Sequence, residues 1–320
     1  MTEVRNETGP DAGAVWHYGD PMREQRELAA GRGAVDLSHR DVVTISGPDR
    51  LEWLHSLTTQ HVTELSAGDA TTALLLSPKG HIEHVMYGVD DGETFWAHTE
   101  PGAAAALVEF LNSMRFLMQV EVTDRSDEYG VVWRPTPSAD DLTGTVARRG
   151  QDSLGGHEVI APLVDVPAVL GDQRAGTWAY EALRIAAGVP RFGVDTDHRA
   201  LPNELGLLGV AVHLDKGCYR GQETVARVHN LGKPPRRLVL LHLDGSVETL
   251  PEPGDELRSG DRPAGFVGST SRHHELGPIG LGLIKRNTPV DAELVTGVIA
   301  CAQEVLVDPD IGLHVRPKLR

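Results

Sequence analysis

From residue 236 onward, short runs of β-prone residues alternate with glycine and proline turns. The runs are, in order, Arg236–Leu243, Glu256–Arg258, Gly265–Ser269, Ile279–Ile284, Glu293–Val298 and Ala302–Val307. Several short strands at such close spacing predict a small barrel or sandwich. Because Lys233-Pro234-Pro235 stands directly before the first run, we place a domain boundary there.

The residues before this boundary mix helical with strand-like patterns, which predicts an α+β chain. The candidate helices are Met22–Ala30, a helix capped by Asp49, Ala103–Met114 and Trp178–Ala187. The candidate strands are Asp41–Ser46, Ala73–Leu76, His81–Val89, Thr94–His98 and Val120–Thr123. Ser77-Pro78-Lys79-Gly80 predicts the turn of a hairpin between the second and third of these strands. Residues 1–14 read as a disordered leader, and residues 134–156 as a loop or a poorly packed hairpin.

Charge and cysteine content exclude several classes of protein. The 320 residues include 30 Lys and Arg against 46 Asp and Glu, a formal net charge of −16, which argues against a purely electrostatic binder of nucleic acid or anionic membranes. Two cysteines, Cys218 and Cys301, can supply neither a four-thiolate cluster or zinc site nor a disulfide scaffold. The polar start lacks the apolar stretch of a signal peptide, and no apolar run reaches the roughly 18 residues of a membrane span. These features predict a cytoplasmic protein.

The densest group of chemically distinctive residues is Lys216–Glu223, with the sequence KGCYRGQE. Its thiol, Cys218, stands between cations two residues before and two after, and nearby positive charge favours the thiolate. Flanking glycines let the backbone bend closely around that thiol. The residues alone leave two readings open, a reactive cysteine or a small buried apolar residue. Cys301, in the apolar run Val298–Ala302, is predicted to be a core residue.

Glu204 is a lone acid in a mostly apolar stretch, Leu201–Leu207. A partly buried carboxylate there could accept two hydrogen bonds from an amidine-like edge, such as that of a pterin. The alternative is an acid in the first turn of a helix, stabilised by the helix dipole. A strand would not place His81, Glu83 and His84 on the same side of the sheet, so their spacing predicts no metal site. The glycine-rich segments match no nucleotide-binding loop.

Residues 180–237 resemble the YgfZ-type folate-binding proteins, relatives of the glycine cleavage T protein (aminomethyltransferase) that act in iron–sulfur cluster assembly or repair. The signature K-G-C-[aromatic]-x-G-Q-E is intact at Lys216–Glu223. Further segments that fit the family are Val35–Ser38, Ile45–Asp49, Leu57–Gln60, Ser77–Gly80, Met114–Phe116 and Gly265–Ser271. The resemblance covers about residues 15–310.

The resemblance implies an α+β fold of three domains around a central cavity that holds tetrahydrofolate or a one-carbon derivative of it. Residues 15–45 with 160–233 would form a discontinuous folate-binding domain. Residues 46–159 would form a middle α+β domain, and residues 234–320 the C-terminal β-barrel, after the leader 1–14.

The resemblance also implies roles for individual residues. Cys218 and Lys216 would be the catalytic pair. The remaining motif positions are Gly217, Gly221, Gln222 and Glu223, and the folate-binding candidates are Glu204, Tyr180, Arg191, Tyr219 and Arg115. One departure concerns the Asp-Asp pair that aminomethyltransferases carry after a glycine-rich turn. Here that region is Gly80–Val85, GHIEHV, without such a pair.

The predicted function is therefore that of a tetrahydrofolate-binding accessory protein. Its partners would be iron–sulfur client enzymes or cluster-assembly proteins, and through them it would support tRNA-modifying cluster enzymes, without direct contact with nucleic acid or membranes. One alternative is a tetrahydrofolate-dependent aminomethyltransferase or methyltransferase. Another is a folate-binding module that acts only as a sensor or scaffold.

Overall fold

The computed structural model describes residues 2–136, 145–150 and 152–314. The chain divides into two compact units. Unit 1 comprises Met1–Leu74 and His84–Leu183, and unit 2 comprises Leu75–Glu83 and Arg184–Arg320. The chain thus leaves unit 1 for nine residues, Leu75–Glu83, before it returns. The three-domain division expected from the family resemblance stays a prediction.

Unit 1 contains two five-stranded sheets built mostly from neighbouring antiparallel strands. The first has the order β10-β11-β9-β3-β12 and the second the order β5-β6-β7-β4-β8. The strands of the first are β3 (Ala34–Asp36), β9 (Tyr129–Arg134), β10 (Val146–Arg149), β11 (His157–Pro162) and β12 (Arg174–Ala175). Those of the second are β4 (Asp41–Ser46), β5 (Ala70–Leu76), β6 (Ile82–Asp90), β7 (Thr94–Thr99) and β8 (Glu121–Asp124). The predicted hairpin around residues 77–80 is confirmed as β5–β6.

Helices cover the apolar surfaces of these sheets because their own apolar residues recur on one side. They are α1 (Pro21–Ala29), α2 (Arg50–Leu57), α3 (Ala104–Ser113), α4 (Val166–Leu170) and α5 (Thr177–Ala186). In α2 the buried members are Trp53 and Leu54, and in α3 they include Leu107 and Leu111. The helices predicted near residues 22, 50, 103 and 178 are therefore present.

The N-terminal residues differ from the disordered leader expected from their polarity. Strand β1 (Val4–Arg5) pairs antiparallel with β2 (Val15–His17). The Asn6 side chain also donates a hydrogen bond to Thr177 Oγ1 at 2.8 Å. These hydrogen bonds compensate for a sequence that buries little apolar surface of its own. The described part of residues 134–156 also pairs more regularly than the expected loop or poorly packed hairpin, since Val146–Arg149 pairs along its length with β11. Residues 137–144 and 151 lie outside the described part.

Unit 2 ends in a closed six-stranded barrel, which confirms the predicted C-terminal barrel. Its strands are β13 (Arg236–Leu243), β14 (Glu256–Ser259), β15 (Arg262–His273), β16 (Gly277–Lys285), β17 (Leu294–Thr296) and β18 (Ile299–Val305). Closure comes from β13, which pairs with both β16 and β18. Cys301 lies in the barrel core, as predicted, and burial raises its pKa to about 11.

A buried ion pair ties β15 to the segment that enters unit 2. Arg184 Nη1 lies 3.0 Å from Asp195 Oδ2, and both side chains are almost fully buried. The other Asp195 oxygen accepts the Ser269 backbone N–H at 2.6 Å. Gly268 is required beside them, because a Cβ there would lie 2.2 Å from Asp195 Oδ1. Among the described residues, no helix is both long and apolar enough to cross a membrane.

Candidate functional site

The KGCYRGQE loop presents its thiol to solvent and buries the two side chains beside it. Cys218 is exposed, whereas Lys216 is 7 % and Tyr219 9 % exposed. The Lys216 ammonium lies 5.2 Å from the centroid of the Tyr219 ring, within the range of a cation–π contact. Burial lowers the pKa of Lys216 to about 8 and raises the pKa of Tyr219 to about 12. A lysine of pKa about 8 is still about ten-to-one protonated at pH 7, so it adds positive charge to the loop.

Helix α6 (Gln222–Leu231) begins directly after this loop, and Gly221 is its N-cap. Gly221 has φ +84°, a left-handed conformation that glycine adopts without strain. The second reason for glycine is contact with the β5–β6 turn. A Cβ on Gly221 would lie 2.5 Å from the Ser77 carbonyl oxygen and 2.9 Å from the Gly80 Cα. Two segments that fit the family pattern, Ser77–Gly80 and Lys216–Glu223, are therefore in direct contact within unit 2.

Two further contacts hold the tip of this hairpin within unit 2. Arg220 Nη1 lies 3.0 Å from Glu83 Oε2, joining the cysteine loop to the strand that follows the turn. The Ile82 backbone N–H donates to the Ala200 carbonyl at 3.0 Å. The hairpin tip thus packs against the loop that carries the Cys218 thiol.

Glu204 is buried, but its carboxylate already has partners. It ends the 3₁₀ helix Pro202–Glu204 and is 1 % exposed. The Arg236 guanidinium donates from Nε to Oε1 and from Nη2 to Oε2, both at 2.9 Å. The Leu201 N–H also donates to Oε2, at 3.0 Å. A carboxylate accepts about four hydrogen bonds, so these three donors use most of its capacity and leave about one acceptor position, on Oε1.

Arg236 bridges Glu204 to a second acid, Asp197. Its Nη1 lies 2.7 Å from Asp197 Oδ2. Burial by itself would lower the pKa of Arg236, but hydrogen bonds and charge from Glu204 and Asp197 raise it. The amidine-like partner that the sequence suggested for Glu204 is, in this structure, a guanidinium of the same chain. The basic pair Arg236-Arg237 is visible in the sequence, but its pairing with an acid 32 residues earlier has no local signal.

The sequence gives no signal for the neighbouring residue, Asn203. It is 2 % exposed, and its Nδ2 donates to the Val225 carbonyl in α6 at 3.2 Å. Its Oδ1 is buried and has no hydrogen-bond partner among the described residues. Asn203 therefore links the Glu204 turn to the helix that follows the cysteine loop.

The remaining predicted residues have different surroundings. Arg191 is 3 % exposed, and its backbone N–H donates to Asp195 at 2.6 Å. Tyr180 lies in the core of unit 1, where its ring packs edge-on against Trp133 and its hydroxyl accepts from Arg40 at 3.4 Å. Burial raises the pKa of Tyr180 to about 12. Arg115 is exposed in the turn after α3. Unit 2 thus contains Cys218, Lys216, Tyr219 and Glu204, whereas unit 1 contains Tyr180 and Arg115.

Unit 1 holds a buried charged cluster that sequence reasoning missed. Arg148 and Glu158 form a close ion pair, and Arg148 Nη2 donates to Thr72 Oγ1 at 2.7 Å. His98 Nε2 lies 3.2 Å from Glu158 Oε2. Burial would raise the pKa of Glu158, but His98 and Arg148 hold it well below its usual range, and burial lowers the pKa of His98. Arg148 stands in the segment that we expected to be poorly packed, which is why the sequence gave no signal for it.

No group of three or more His, Cys, Asp or Glu side chains in the described ranges is arranged to hold a metal ion.

Comparisons with known proteins now bear on the fold. A family described as "GCVT N-terminal domain" matches residues 16–152. The crystal structure of glycine cleavage system aminomethyltransferase T from Bartonella henselae superposes with a TM-score of 0.81 and 17 % identity, covering 97 % of this chain and 95 % of that one. The chain has the fold of the glycine cleavage T protein. This confirms the predicted fold class.

Curated relatives carry two kinds of name. An aminomethyltransferase from Symbiobacterium thermophilum is 26 % identical over 69 % of this chain and 70 % of its own length, and one from Rubrobacter xylanophilus is 25 % identical over 85 % and 81 %. A protein named iron–sulfur cluster assembly factor IBA57 homolog, mitochondrial, from Mycosarcoma maydis is 28 % identical over 63 % of this chain and 55 % of its own length. The chain is thus similar both to aminomethyltransferases and to an iron–sulfur assembly factor.

Proposed function

We propose that this chain is a tetrahydrofolate-binding accessory protein for the assembly or repair of iron–sulfur enzymes, of the YgfZ type. The observation that carries the proposal is the exposed thiol of Cys218, held on a loop between Lys216 and Arg220 and supported by the β5–β6 turn. A solvent-facing thiol is accessible for reaction with a partner, whereas a structural cysteine would be buried. The similarity to an assembly factor supports the same reading.

In the proposed mechanism, Cys218 loses its proton to solvent and its thiolate supplies one ligand to a cluster that is shared with a client protein. Two cysteines, one of them in the barrel core, cannot hold such a cluster without that partner. The cluster is therefore cargo. Clients of this kind would be cluster enzymes, including those that modify tRNA, and the proposed compartment is the cytoplasm.

The proposed folate contact is Glu204, with Arg236 beside it. The buried carboxylate has about one acceptor position left, on Oε1, while Arg236 is bound. Because Glu204 is 1 % exposed, one N–H of a pterin could reach this oxygen only after the residues that cover it move, and both N–H groups could bind only if the guanidinium also moves to pair with Asp197 alone. Tetrahydrofolate, when bound, would supply a one-carbon carrier. The chain's own contribution is to hold the pterin edge through a carboxylate that protein groups already orient.

Arg191, Tyr180, Tyr219 and Arg115 remain candidates for folate contact. Tyr219 and Arg191 are buried in unit 2, so a ligand would meet at most their edges in the arrangement described. Glu204→Ala is the direct test, with tetrahydrofolate affinity measured by calorimetry. Loss of binding would support Glu204 as a folate contact, and unchanged affinity would remove it from the site.

A deletion strain tests the function. Wild type, Cys218→Ala and Cys218→Ser are compared for their ability to restore the activities of iron–sulfur enzymes. We expect neither variant to restore them although both fold, as judged by thermal melting. Cys301→Ala, which changes the buried thiol, is the matched control and should complement whenever it folds. Full complementation by Cys218→Ala would exclude the thiol mechanism.

The aminomethyltransferase alternative is favoured by the names of several relatives and by the shared fold. It predicts turnover of methylenetetrahydrofolate with an amine-bearing substrate and tolerance of Cys218 substitution. Against it, the region where aminomethyltransferases carry an Asp-Asp pair is GHIEHV here, and its Glu83 is ion-paired with Arg220.

A further inference from the structure

The hairpin tip Leu75–Glu83 contacts the cysteine loop and the start of α6 at three places. Gly80 approaches α6 so closely that a Cβ on it would lie 2.9 Å from Thr224 Cβ and 3.3 Å from the Gly221 carbonyl oxygen. Gly221 makes the reciprocal approach to Ser77 and Gly80. Glu83 and Arg220 complete the contact as an ion pair at 3.0 Å. All of these contacts are made by residues that follow Cys218 in the loop and in α6.

We propose that Glu83 and Arg220 are positioning residues for Cys218, acting with the Gly80 contact to fix the direction in which the loop presents the thiol. The inference rests on the proposed function, in which Cys218 is the reacting group. Arg220 follows Cys218 by two residues, so the backbone between them has few rotatable bonds. Fixing the Arg220 side chain on Glu83 therefore restricts the thiol as well.

The chemistry of the pair supports local positioning rather than global stability. Both side chains are about one-third exposed, 37 % for Arg220 and 35 % for Glu83. Ion pairs of such exposure contribute little to the free energy of unfolding. On a loop of turn and irregular backbone, however, even a small interaction shifts the balance between ordered and open conformations.

Glu83→Gln removes the charge with little change of shape, and it leaves the cations beside Cys218 in place. We expect amide hydrogen exchange in residues 216–221 to become about two- to five-fold faster, with an unchanged melting temperature. Arg220→Gln should give the same acceleration. Arg220→Lys, which can still reach the carboxylate, should return exchange close to the wild-type rate, a rescue that a merely structural perturbation would not give.

Gly80→Ala tests the backbone contact. We expect exchange in residues 216–221 to accelerate by about ten-fold or more, because the loop must move away from the new methyl group. Gly277→Ala is the matched control. Gly277 also has positive φ, +71° against +79°, lies in unit 2 and has no atom within 4 Å of its ideal Cβ. It carries the same backbone strain without the clash, so the exchange rate of residues 216–221 should stay unchanged.

Exchange and complementation separate this inference from the proposed function. Slower rescue of cluster-enzyme activity in Glu83→Gln and Arg220→Gln, together with faster exchange, would support both. If Cys218→Ala complements fully, the thiol mechanism of the proposed function is excluded, while faster exchange would still establish that the pair orders the loop. If Glu83→Gln and Arg220→Gln leave exchange in residues 216–221 at the wild-type rate, the positioning role is excluded even where Cys218 proves essential.

Discussion

Gly80 and Gly221, far apart in the sequence, pack so closely that neither position has room for a side chain. An ideal Cβ on Gly221 would lie 2.9 Å from the Gly80 Cα, and one on Gly80 would lie 3.3 Å from the Gly221 carbonyl oxygen. Each glycine lies in a segment for which the sequence predicts significance, the hairpin turn and the cysteine loop. The structure adds the reason that both segments need glycine, which is that they contact each other.

The two glycines of the cysteine loop should differ in how much stability they lose on substitution by alanine. At Gly221, φ is +84° and a Cβ would lie 2.5 Å from the Ser77 oxygen, so Gly221→Ala combines backbone strain with a backbone clash. We expect a loss of about 2–4 kcal/mol in the free energy of unfolding, measured by urea denaturation. Gly217 has no atom within 4 Å of its ideal Cβ and no positive φ, so Gly217→Ala should change stability by less than about 1 kcal/mol. Equal losses in both variants would contradict the role assigned to the contact.

Much of the architecture can be predicted from the sequence because local signals specify it. The turn spacing after Pro235 predicts a small barrel or sandwich, of which the structure forms the barrel, and Ser77–Gly80 predicts the β5–β6 hairpin. The predicted final strands Glu293–Val298 and Ala302–Val307 are instead Leu294–Thr296 and Ile299–Val305. The hairpin turns at Gly297, with φ +56°, so Val298 lies in the turn and residue 299 already pairs. A β-branched run alone does not reveal where such a turn falls.

Partners brought together from distant parts of the chain could not be predicted. Arg236 on Glu204 and Arg148 on Glu158 are pairings between acids and bases that many other residues could have made. A carboxylate read alone in an apolar stretch is equally compatible with a ligand contact and with an internal ion pair. Only the fold selects the Arg236 pairing observed here.

Lys216 should weaken the folded state at neutral pH, and its effect should fade in alkali. Burial lowers its pKa from the ordinary 10.5 to about 8, so the unfolded chain binds more protons between these values and this residue's penalty falls as pH rises through that window. Lys216→Met should therefore be more stable than wild type at pH 7, by about 1–2 kcal/mol, with a smaller difference at pH 10. Urea denaturation of both proteins at the two pH values measures this. Lys79→Met, at an exposed position in the β5–β6 turn, should show no such pH-dependent difference.

Asp195 should be among the most sensitive positions for stability. Its carboxylate neutralises the buried Arg184 and accepts backbone N–H groups of Arg191 and Ser269. Asp195→Asn leaves Arg184 buried with a weaker partner and turns one acceptor into a donor. We expect a loss of about 3–5 kcal/mol in urea denaturation. Glu223→Gln breaks the exposed pair with Arg227 and should cost less than about 1 kcal/mol. A small effect at Asp195 would mean that Arg184 finds another acceptor.

The buried His98–Glu158 contact should make unit 1 sensitive to acid. Burial lowers the pKa of His98 below its ordinary 6.5, so as the pH falls the unfolded chain protonates this imidazole before the folded chain does. Stability supplied by the neutral imidazole is therefore present above pH 6.5 and declines as the pH falls below that value. Burial would raise the pKa of Glu158, but His98 and Arg148 lower it. Protonation of Glu158 therefore removes a second contribution to stability once the pH falls below the ordinary glutamate value of 4.5.

His98→Gln removes the first titration while keeping a polar side chain of similar size. Between pH 7.5 and pH 5.5 the wild type should lose about 1 kcal/mol more of its unfolding free energy than this variant does. His242→Gln is the control, since His242 lies on an exposed barrel strand position beside Glu304, and it should leave the wild-type pH dependence unchanged in unit 1. Because the chain has two units and all five tryptophans lie in unit 1, unfolding of that unit should be followed by tryptophan fluorescence. Parallel pH profiles for wild type and His98→Gln would show that the imidazole remains able to take up its proton in the folded state.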